Sequence, residues 1–139
     1  MMKLTVLQGV PGSGKSTTAR IISELTGAVI CSTDDYFIEN GVYKFDESKL
    51  SEFHKKNFER ACCLMLEGNS VIIDNTNILL RSCLKYCEFA MKLGFEVEFI
   101  RCTGNYQNVH GVSGEKVEKM RLQMEKLSIE SLFGNSICS

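Results

Sequence analysis

The sequence has a single proline, no long apolar run and almost no net charge. Its longest apolar stretches are a handful of residues, far below the roughly 20 that a membrane-spanning helix needs. The 16 basic and 17 acidic side chains give a formal net charge of −1. A broad duplex-DNA surface is disfavoured because such surfaces are usually basic. We therefore expect no membrane contact, whereas a short contact with a few phosphates stays open.

No pair among the seven cysteines has the CxxC spacing of a redox or zinc site. Cys83 and Cys87 stand four residues apart on a predicted helix, but no further ligands accompany them at zinc-site spacing. The favoured interpretation is reduced, buried cysteines in a cytoplasmic protein. The first residues, Met1-Met2-Lys3, lead into a strand-like run without a signal-peptide segment, which agrees with this location.

The length of 139 residues and the hydrophobic fraction of 44% predict one domain with its own core. We predict a domain at 1–127 and a tail of uncertain structure at 128–139. Apolar strands are predicted at 4–8, 28–32, 71–74 and 96–101, and a loop at 33–47. Helices are predicted up to residue 26 after the first strand, and at 48–67, 80–91 and 117–127. Such alternation demands parallel pairing with right-handed crossovers. The predicted fold class is a three-layer α/β domain with a four-stranded parallel sheet in the order 2-3-1-4.

The proline lies in a glycine-rich turn after the first predicted strand. Residues 9–16 fit the phosphate-loop pattern G-x-x-x-x-G-K-[ST] at every fixed position. Glycines let backbone N–H groups curl around an anion, and the following helix adds its N-terminal N–H groups. Lys15 can reach the β- and γ-phosphates, and Ser16 can ligate Mg²⁺. The predicted ATP-binding residues are Gly9, Val10, Pro11, Gly12, Ser13, Gly14, Lys15, Ser16 and Thr17.

Acidic residues follow the second and third predicted strands, at the sheet edge where open α/β folds bind ligands. Asp74 ends the third strand, where P-loop proteins hold an acid that helps to bind Mg²⁺; a turn cap is the alternative. Asp34 follows the second strand, where a carboxylate can accept the proton of an attacking hydroxyl. From spacing alone, an acid pair that begins a turn is an equally good interpretation. The residues predicted to contact the substrate are Asp35, Tyr36, Asn75, Thr76 and Asn77.

The polar segment 102–114 lies between the last strand and the last helix, where we expect a lid over the nucleotide. Its predicted functional residues are Asn108 and His110, with Arg101 directly before the segment. The segment has no lysine or arginine, although phosphoryl transfer usually needs a cation on the developing charge. The candidates to supply this cation are Arg20, Arg81, Arg101 and Arg121.

Two groups of residues near the acids have two interpretations each. The aromatic residues Tyr36, Phe37 and Tyr43 could stack on a base or form the core of their own loop. His54 and Asn57 could both face a cleft, but a solvent-facing polar side of the long helix is favoured.

Four motifs occur in a fixed order, at Gly9–Thr17, Ser32–Phe37, Asp74–Asn77 and Asn108–Val112. Together they resemble the P-loop kinase family that contains phage polynucleotide 5′-hydroxyl kinase and its relatives, which include AAA-type ATPase domains. The resemblance implies ATP- and Mg²⁺-dependent transfer of the γ-phosphate to a hydroxyl. The favoured acceptor is the 5′-hydroxyl of DNA or RNA, and Asp34 would be the general base.

The chain departs from the phage pattern at two positions. Phe37 and Gln107 stand where the phage enzyme has arginines, one shortly after the acid pair and one in the lid. Two other functions therefore stay open: a small-metabolite or nucleoside kinase, and a nucleotide-binding switch with weak catalysis. The expected partners are a nucleoside triphosphate and nucleic-acid 5′ ends.

Overall fold

A computed structural model describes residues 2–77, 79–104 and 112–124. The strands are β1 (Lys3–Gln8), β2 (Val29–Cys31), β3 (Ile38–Glu39), β4 (Val42–Tyr43), β5 (Val71–Ile73) and β6 (Glu96–Arg101). The helices are α1 (Lys15–Thr26), α2 (Leu50–Leu66), α3 (Leu84–Lys92) and α4 (Gly114–Gln123). Short 3-10 turns lie at Thr33–Phe37, Glu47–Lys49 and Leu80–Ser82. The predicted lid residues Asn108 and His110 and the tail 128–139 lie outside the described residues.

Four parallel strands form the central sheet in the order β2-β5-β1-β6. β1 pairs with both β5 and β6, and β2 pairs with β5. Numbered within this sheet alone, the order is 2-3-1-4, so the predicted α/β fold class and strand order are confirmed. The carboxyl ends of β2, β5 and β1 are adjacent, and the residues that follow them therefore share one edge.

The two faces of the sheet bury alternate side chains of the same strands. On one face, α2 and α3 pack on Leu4, Val6 and Ile73 of the sheet. On the other face, Ala19 of α1 packs against Leu7 and Ile72. This gives the three layers predicted from the alternation of strands and helices. Cys83 and Cys87 are free thiols with no exposed surface, inside the α2 and α3 layer.

The segment between β2 and α2 has more structure than the predicted loop 33–47. It contains the antiparallel hairpin of β3 and β4, whose turn residues Asn40 and Gly41 have φ values of 51° and 79°. Asn-Gly is a typical pair for a two-residue hairpin turn. Phe37 is buried, with ring centroids 5.1 Å from Phe45 and 4.7 Å from Phe53. These rings form the core of their own loop, so base stacking by Phe37 is not supported.

α1, α2 and α3 end within one residue of their predicted ends, whereas α4 ends at Gln123 rather than at the predicted 127. The helix starts differ by a few residues. The third begins at Leu84 after a 3-10 turn, rather than at residue 80. The fourth begins at Gly114, earlier than the predicted 117. In the part of the chain that the structure describes, no helix has the length and apolar character needed to cross a bilayer.

Candidate functional site

The phosphate-loop motif connects β1 to α1 at the carboxyl edge of the sheet. Gly12 and Gly14 have φ values of 85° and 92°, which glycine adopts without strain. α1 begins at Lys15 without a side-chain cap, so its first N–H groups remain for an anion. The buried Ser13 hydroxyl has no hydrogen-bond partner within the described residues. The loop therefore presents the donors that a phosphate group requires.

Two neighbouring segments hold this loop in place. The N–H of Gly9 donates to the carbonyl oxygen of Thr76 at 3.0 Å, which links the loop to the segment after β5. The N–H of Gly104 donates to the carbonyl oxygen of Ser13 at 3.0 Å, which links it to the segment after β6. Hydrogen bonds thus attach the loop on both sides to the segments that follow β5 and β6, the two strands that pair with β1.

Replacing Gly9 with alanine is expected to lower the free energy of unfolding by about 1–3 kcal/mol, as extra atoms do in a packed site. The added Cβ would overlap the Ser13 hydroxyl oxygen and lie 3.1 Å from the Cys102 carbonyl oxygen. Gly114→Ala is the matched control, since its Cβ would meet nothing within 4 Å. Urea denaturation measures both variants. Equal stabilities of the two variants would contradict the prediction.

Lys15, Ser16 and Asp74 form a compact polar centre beside the loop. Lys15 Nζ lies 3.4 Å from Asp74 Oδ1, and the Ser16 hydroxyl donates to Asp74 Oδ2 at 3.2 Å. Lys15 and Asp74 are only 8% and 6% exposed. Burial raises the pKa of Asp74, and Lys15 and Ser16 counteract this only in part. The carboxylate therefore depends on nearby cations to stay charged.

The same atoms fit a magnesium ion. Mg²⁺ takes hard oxygen ligands at about 2.0–2.1 Å in octahedral geometry, so two adjacent ligand oxygens lie about 3 Å apart. Ser16 Oγ and Asp74 Oδ2 are 3.2 Å apart, close to that spacing. The metal-binding roles predicted for these two residues are therefore compatible with their geometry.

Asp34 and Asp35 share the 3-10 turn after β2 but have different surroundings. The Tyr43 hydroxyl donates to Asp34 Oδ1 at 3.3 Å. Burial is the main cause of the raised pKa of Asp74, and the charge of Asp34 contributes to it. Asp35 is exposed, and together with burial it raises the pKa of Cys31 to about 11. The charge of Asp34 therefore acts on the polar centre.

The residues after β5 connect the ends of the neighbouring strands. The Thr33 N–H donates to Asn75 Oδ1 at 2.9 Å, which joins the segments after β2 and β5. The Asn77 amide donates to the Leu7 carbonyl oxygen at 2.7 Å, and Asn77 is 1% exposed. Asn77 thus holds the backbone of β1. Contacts of Asn75, Thr76 and Asn77 with substrate stay predictions.

A cleft of about 300 Å³ opens beside these residues. Residues of α2, of the segment after β5, of the 3-10 turn before α3 and of the first turn of α3 line it, namely His54, Asn75, Thr76, Asn77, Arg81, Ser82, Lys85 and Tyr86. Burial, followed by the positive charge of Lys85, lowers the pKa of His54, whereas Asp34 acts in the opposite direction. The charges of Lys85 and of the candidate base Asp34 therefore act on His54 in opposite directions.

Asn57 is fully buried below this cleft, so the prediction of a solvent-facing position for it is wrong. Its amide donates to the Tyr86 hydroxyl at 3.1 Å. The sequence contained a signal for this burial, because Asn57 stands four residues before Ala61 and eight before Met65, both of which are buried. Lys85 and Tyr86 were not among the predicted site residues, and no local motif marks them.

The four candidate cations for the transferring phosphate lie on different sides of the site. Arg101 and Arg121 line a cleft of about 190 Å³ next to the phosphate loop. Arg101 Nε also donates to the buried Gln8 Oε1 at 3.0 Å. Arg81 instead lines the cleft beside Asn75, and Arg20 is exposed on α1. The phosphate-loop side therefore holds Arg101 and Arg121.

Comparison with known proteins places this chain in a family. A family model described as an AAA domain matches residues 4–105. In the human NEDD4-binding protein 2, the similar region is 35% identical over 146 residues and covers 96% of this chain. That region is 8% of the human protein, so the chain spans less than a tenth of this relative's length.

Solved structures show the same fold. One chain in the Pnkp1/Rnl/Hen1 complex has a TM-score of 0.61 and 25% identity, over 92% of this chain and 41% of that chain. The APS kinase CysC of Mycobacterium tuberculosis has a TM-score of 0.56 and 18% identity, over 88% of this chain and 96% of that kinase. The α/β architecture described above is therefore that of P-loop kinases.

Proposed function

Because this chain belongs to the AAA domain family, we propose that it is an ATP- and Mg²⁺-dependent kinase that phosphorylates a hydroxyl group. The observation that carries the proposal is the contact of Lys15 and Ser16 with the buried Asp74, next to a loop with unpaired donors. The kinase fold of the structural relatives supports it. The proposed kinase domain spans residues 1–127.

Each residue of the polar centre has one task in this proposal. The N–H groups of the phosphate loop and the Lys15 ammonium bind the β- and γ-phosphates of ATP and fix their orientation. Ser16 and Asp74 would hold Mg²⁺, which when bound neutralises phosphate charge. Arg101, Asn108 and His110 are proposed to lie on the lid side of the nucleotide.

The proposed transfer needs one base on the acceptor side. The acceptor oxygen forms a bond to the γ-phosphorus while the bond from that phosphorus to the β–γ bridging oxygen breaks, and ADP leaves. The hydroxyl proton moves to the Asp34 carboxylate. The Tyr43 hydroxyl orients this carboxylate through its 3.3 Å hydrogen bond. Asp34 suits the task because its charge acts both on Asp74 of the polar centre and on His54 of the neighbouring cleft.

The proposed acceptor is the 5′-hydroxyl of a nucleic acid strand. The support is the series of four motifs that resembles polynucleotide 5′-hydroxyl kinases, together with the likeness to a chain of the Pnkp1/Rnl/Hen1 complex. The net charge of −1 agrees with contacts to one strand end rather than to a long duplex. Asp35, Tyr36 and Asn75 are proposed to lie near the bound end.

Incubation with γ-labelled ATP and Mg²⁺ is expected to transfer label to 5′-hydroxyl oligonucleotides. Matched oligonucleotides with a 5′-phosphate are the control and should stay unlabelled, since their reactive hydroxyl is blocked. A panel of nucleosides and small hydroxyl compounds under the same conditions tests the metabolite-kinase alternative. ATP binding without transfer to any acceptor would reject the kinase and favour a nucleotide-binding switch.

A further inference from the structure

The cleft beside Asn75 has a basic wall, formed by Arg81 and Lys85, which are not part of the polar centre. Arg81 lies in the 3-10 turn before α3 and Lys85 in the first turn of α3, and both line the cleft. Neither forms an ion pair with the described residues, and none of the described residues that line the cleft is acidic. Two positive charges therefore line a cleft that has no carboxylate among its described lining residues.

The position of Lys85 is supported by packing. Its Nζ lies 4.5 Å from the centroid of the Phe58 ring, a cation–π contact that holds the side chain against α2. The wall is therefore partly ordered before a ligand binds, which reduces the entropy lost on binding.

The cleft also faces the acceptor side of the proposed reaction. His54 lines it and lies within 3.0 Å of the Thr33 hydroxyl, which belongs to the residue before Asp34. The charges of Lys85 and Asp34 both act on His54. Because burial lowers the pKa of His54, its imidazole is neutral near pH 7 and offers a hydrogen-bonding group rather than a charge. The cleft is thus linked, through His54 and Thr33, to the turn that holds the candidate base.

On the basis of the proposed kinase activity, we propose that Arg81 and Lys85 bind an anionic group of the acceptor. The preferred acceptor is then a compound whose phosphate lies near its reactive hydroxyl. A nucleoside 3′-phosphate and the first nucleotide of a 5′-hydroxyl strand share this chemistry. Arginine and lysine are the side chains that bind phosphate oxygens most strongly, the former through two parallel hydrogen bonds. Arg81 accordingly acts on the acceptor and not on the transferring γ-phosphate.

The size of the cleft agrees with this assignment. A volume of about 300 Å³ is at the lower end of the range for small-molecule sites. One nucleoside with its phosphate is of that scale, whereas a duplex requires an extended basic surface. The subsite therefore selects the end of a strand or a single nucleotide.

The test compares three acceptors: a nucleoside, its 3′-monophosphate and a 5′-hydroxyl trinucleotide. For the two phosphorylated acceptors, kcat/KM is expected to fall about 10- to 100-fold in Arg81→Ala and in Lys85→Ala, the usual effect of losing a charged hydrogen bond. For the nucleoside it is expected to change less than about threefold, because no phosphate contact is lost. Arg81→Lys should recover part of the loss, since it restores the charge without the paired hydrogen bonds.

Lys92→Ala is the matched control. Lys92 is exposed at the last turn of α3, about 10 Å along the helix axis from Lys85, beyond the screening length at physiological salt. It should leave all three acceptors unaffected. The proposal is overturned if the wild type uses nucleoside and nucleoside 3′-monophosphate equally well, or if Arg81→Ala slows both alike.

Direct binding separates failure of this subsite from failure of the kinase proposal. If no acceptor is phosphorylated, equilibrium dialysis with the labelled nucleoside 3′-monophosphate still reports on the cleft. Binding that Arg81→Ala abolishes and Lys92→Ala preserves supports the subsite while the kinase proposal fails. Absence of binding in the wild type overturns the subsite.

A trinucleotide that is used better than the monophosphate identifies a strand end as the source of the phosphate, and equal use identifies a free nucleotide as sufficient.

Discussion

The Lys15→Met variant is expected to bind ATP about 10- to 100-fold more weakly than the wild type, because a hydrogen bond from a charged group contributes about 1.5–3 kcal/mol. Lys15 is also the cation nearest to Asp74, at 3.4 Å. Without the Lys15 ammonium, the negative charge of Asp74 is neutralised less and repels the phosphates of ATP more strongly. This repulsion adds to the loss of the attraction between Lys15 and the phosphates. Methionine retains most of the length of the aliphatic side chain, so the substitution removes mainly the charge.

Lys3→Met is the control for this variant. Lys3 lies at the start of β1, at the opposite end of the strand from the phosphate loop, and forms a half-exposed ion pair with Glu98 at 3.6 Å. Exposed pairs of this kind contribute at most about 1 kcal/mol to stability. Titration calorimetry with a non-hydrolysable ATP analogue should show an unchanged affinity for Lys3→Met. Equal affinities of Lys15→Met and the wild type would contradict the proposed phosphate site, provided that circular dichroism shows both to be folded.

The parts of the fold that could be predicted are those determined by residues close together in the sequence. The sheet follows from continuous apolar strands separated by helices, because each strand must bury both faces. The phosphate loop follows from eight consecutive residues that fit its pattern, in which the fixed Gly14 and the additional Gly12 both adopt positive φ. Local chemistry determined both features, and the structure places both where the sequence predicts.

The acceptor side could not be predicted in the same way, because it depends on how separate elements pack. His54, Asn75 and Lys85 lie on α2, after β5 and on α3, and only the tertiary fold brings them to one cleft. The polar side chain of Asn57 favours a position on the polar face of α2, yet its hydrogen bond to Tyr86 allows it to be fully buried. Polar residues with buried partners are the positions at which a hydrophobic pattern misleads.

The hairpin of β3 and β4 is a third case, in which a local sequence signal predicts the turn but not the two strands beside it. Asn40 and Gly41 have the residue types of a two-residue turn. The strands on either side are only two residues long, too short to show a pattern of alternation. They are formed because Phe37 packs against Phe45 and Phe53 beneath them. This packing places Tyr43 where its hydroxyl contacts Asp34.

The Asp34→Asn variant is expected to lose about 10²- to 10⁴-fold in kcat, the usual contribution of a general base. Asparagine keeps the size of the side chain and the hydrogen bond that Oδ1 accepts from Tyr43, but it cannot take the proton of an acceptor hydroxyl. The affinity for ATP should stay within about threefold of the wild type, because Lys15 and the loop N–H groups are untouched. A split between kcat and ATP binding is therefore the signature of the base.

Asp35→Asn is the matched control for that variant, since it removes the same charge from the neighbouring residue. Asp35 is exposed, whereas Asp34 is half-buried and accepts a hydrogen bond from Tyr43, so kcat should fall far less than in Asp34→Asn. Single-turnover transfer of labelled phosphate at saturating ATP measures the chemical step directly for both variants. If Asp35→Asn shows the larger loss, the base is the second acid of the pair. If neither variant slows transfer, proton removal by this turn is not part of the rate-limiting step, and the site binds nucleotide without the proposed base catalysis.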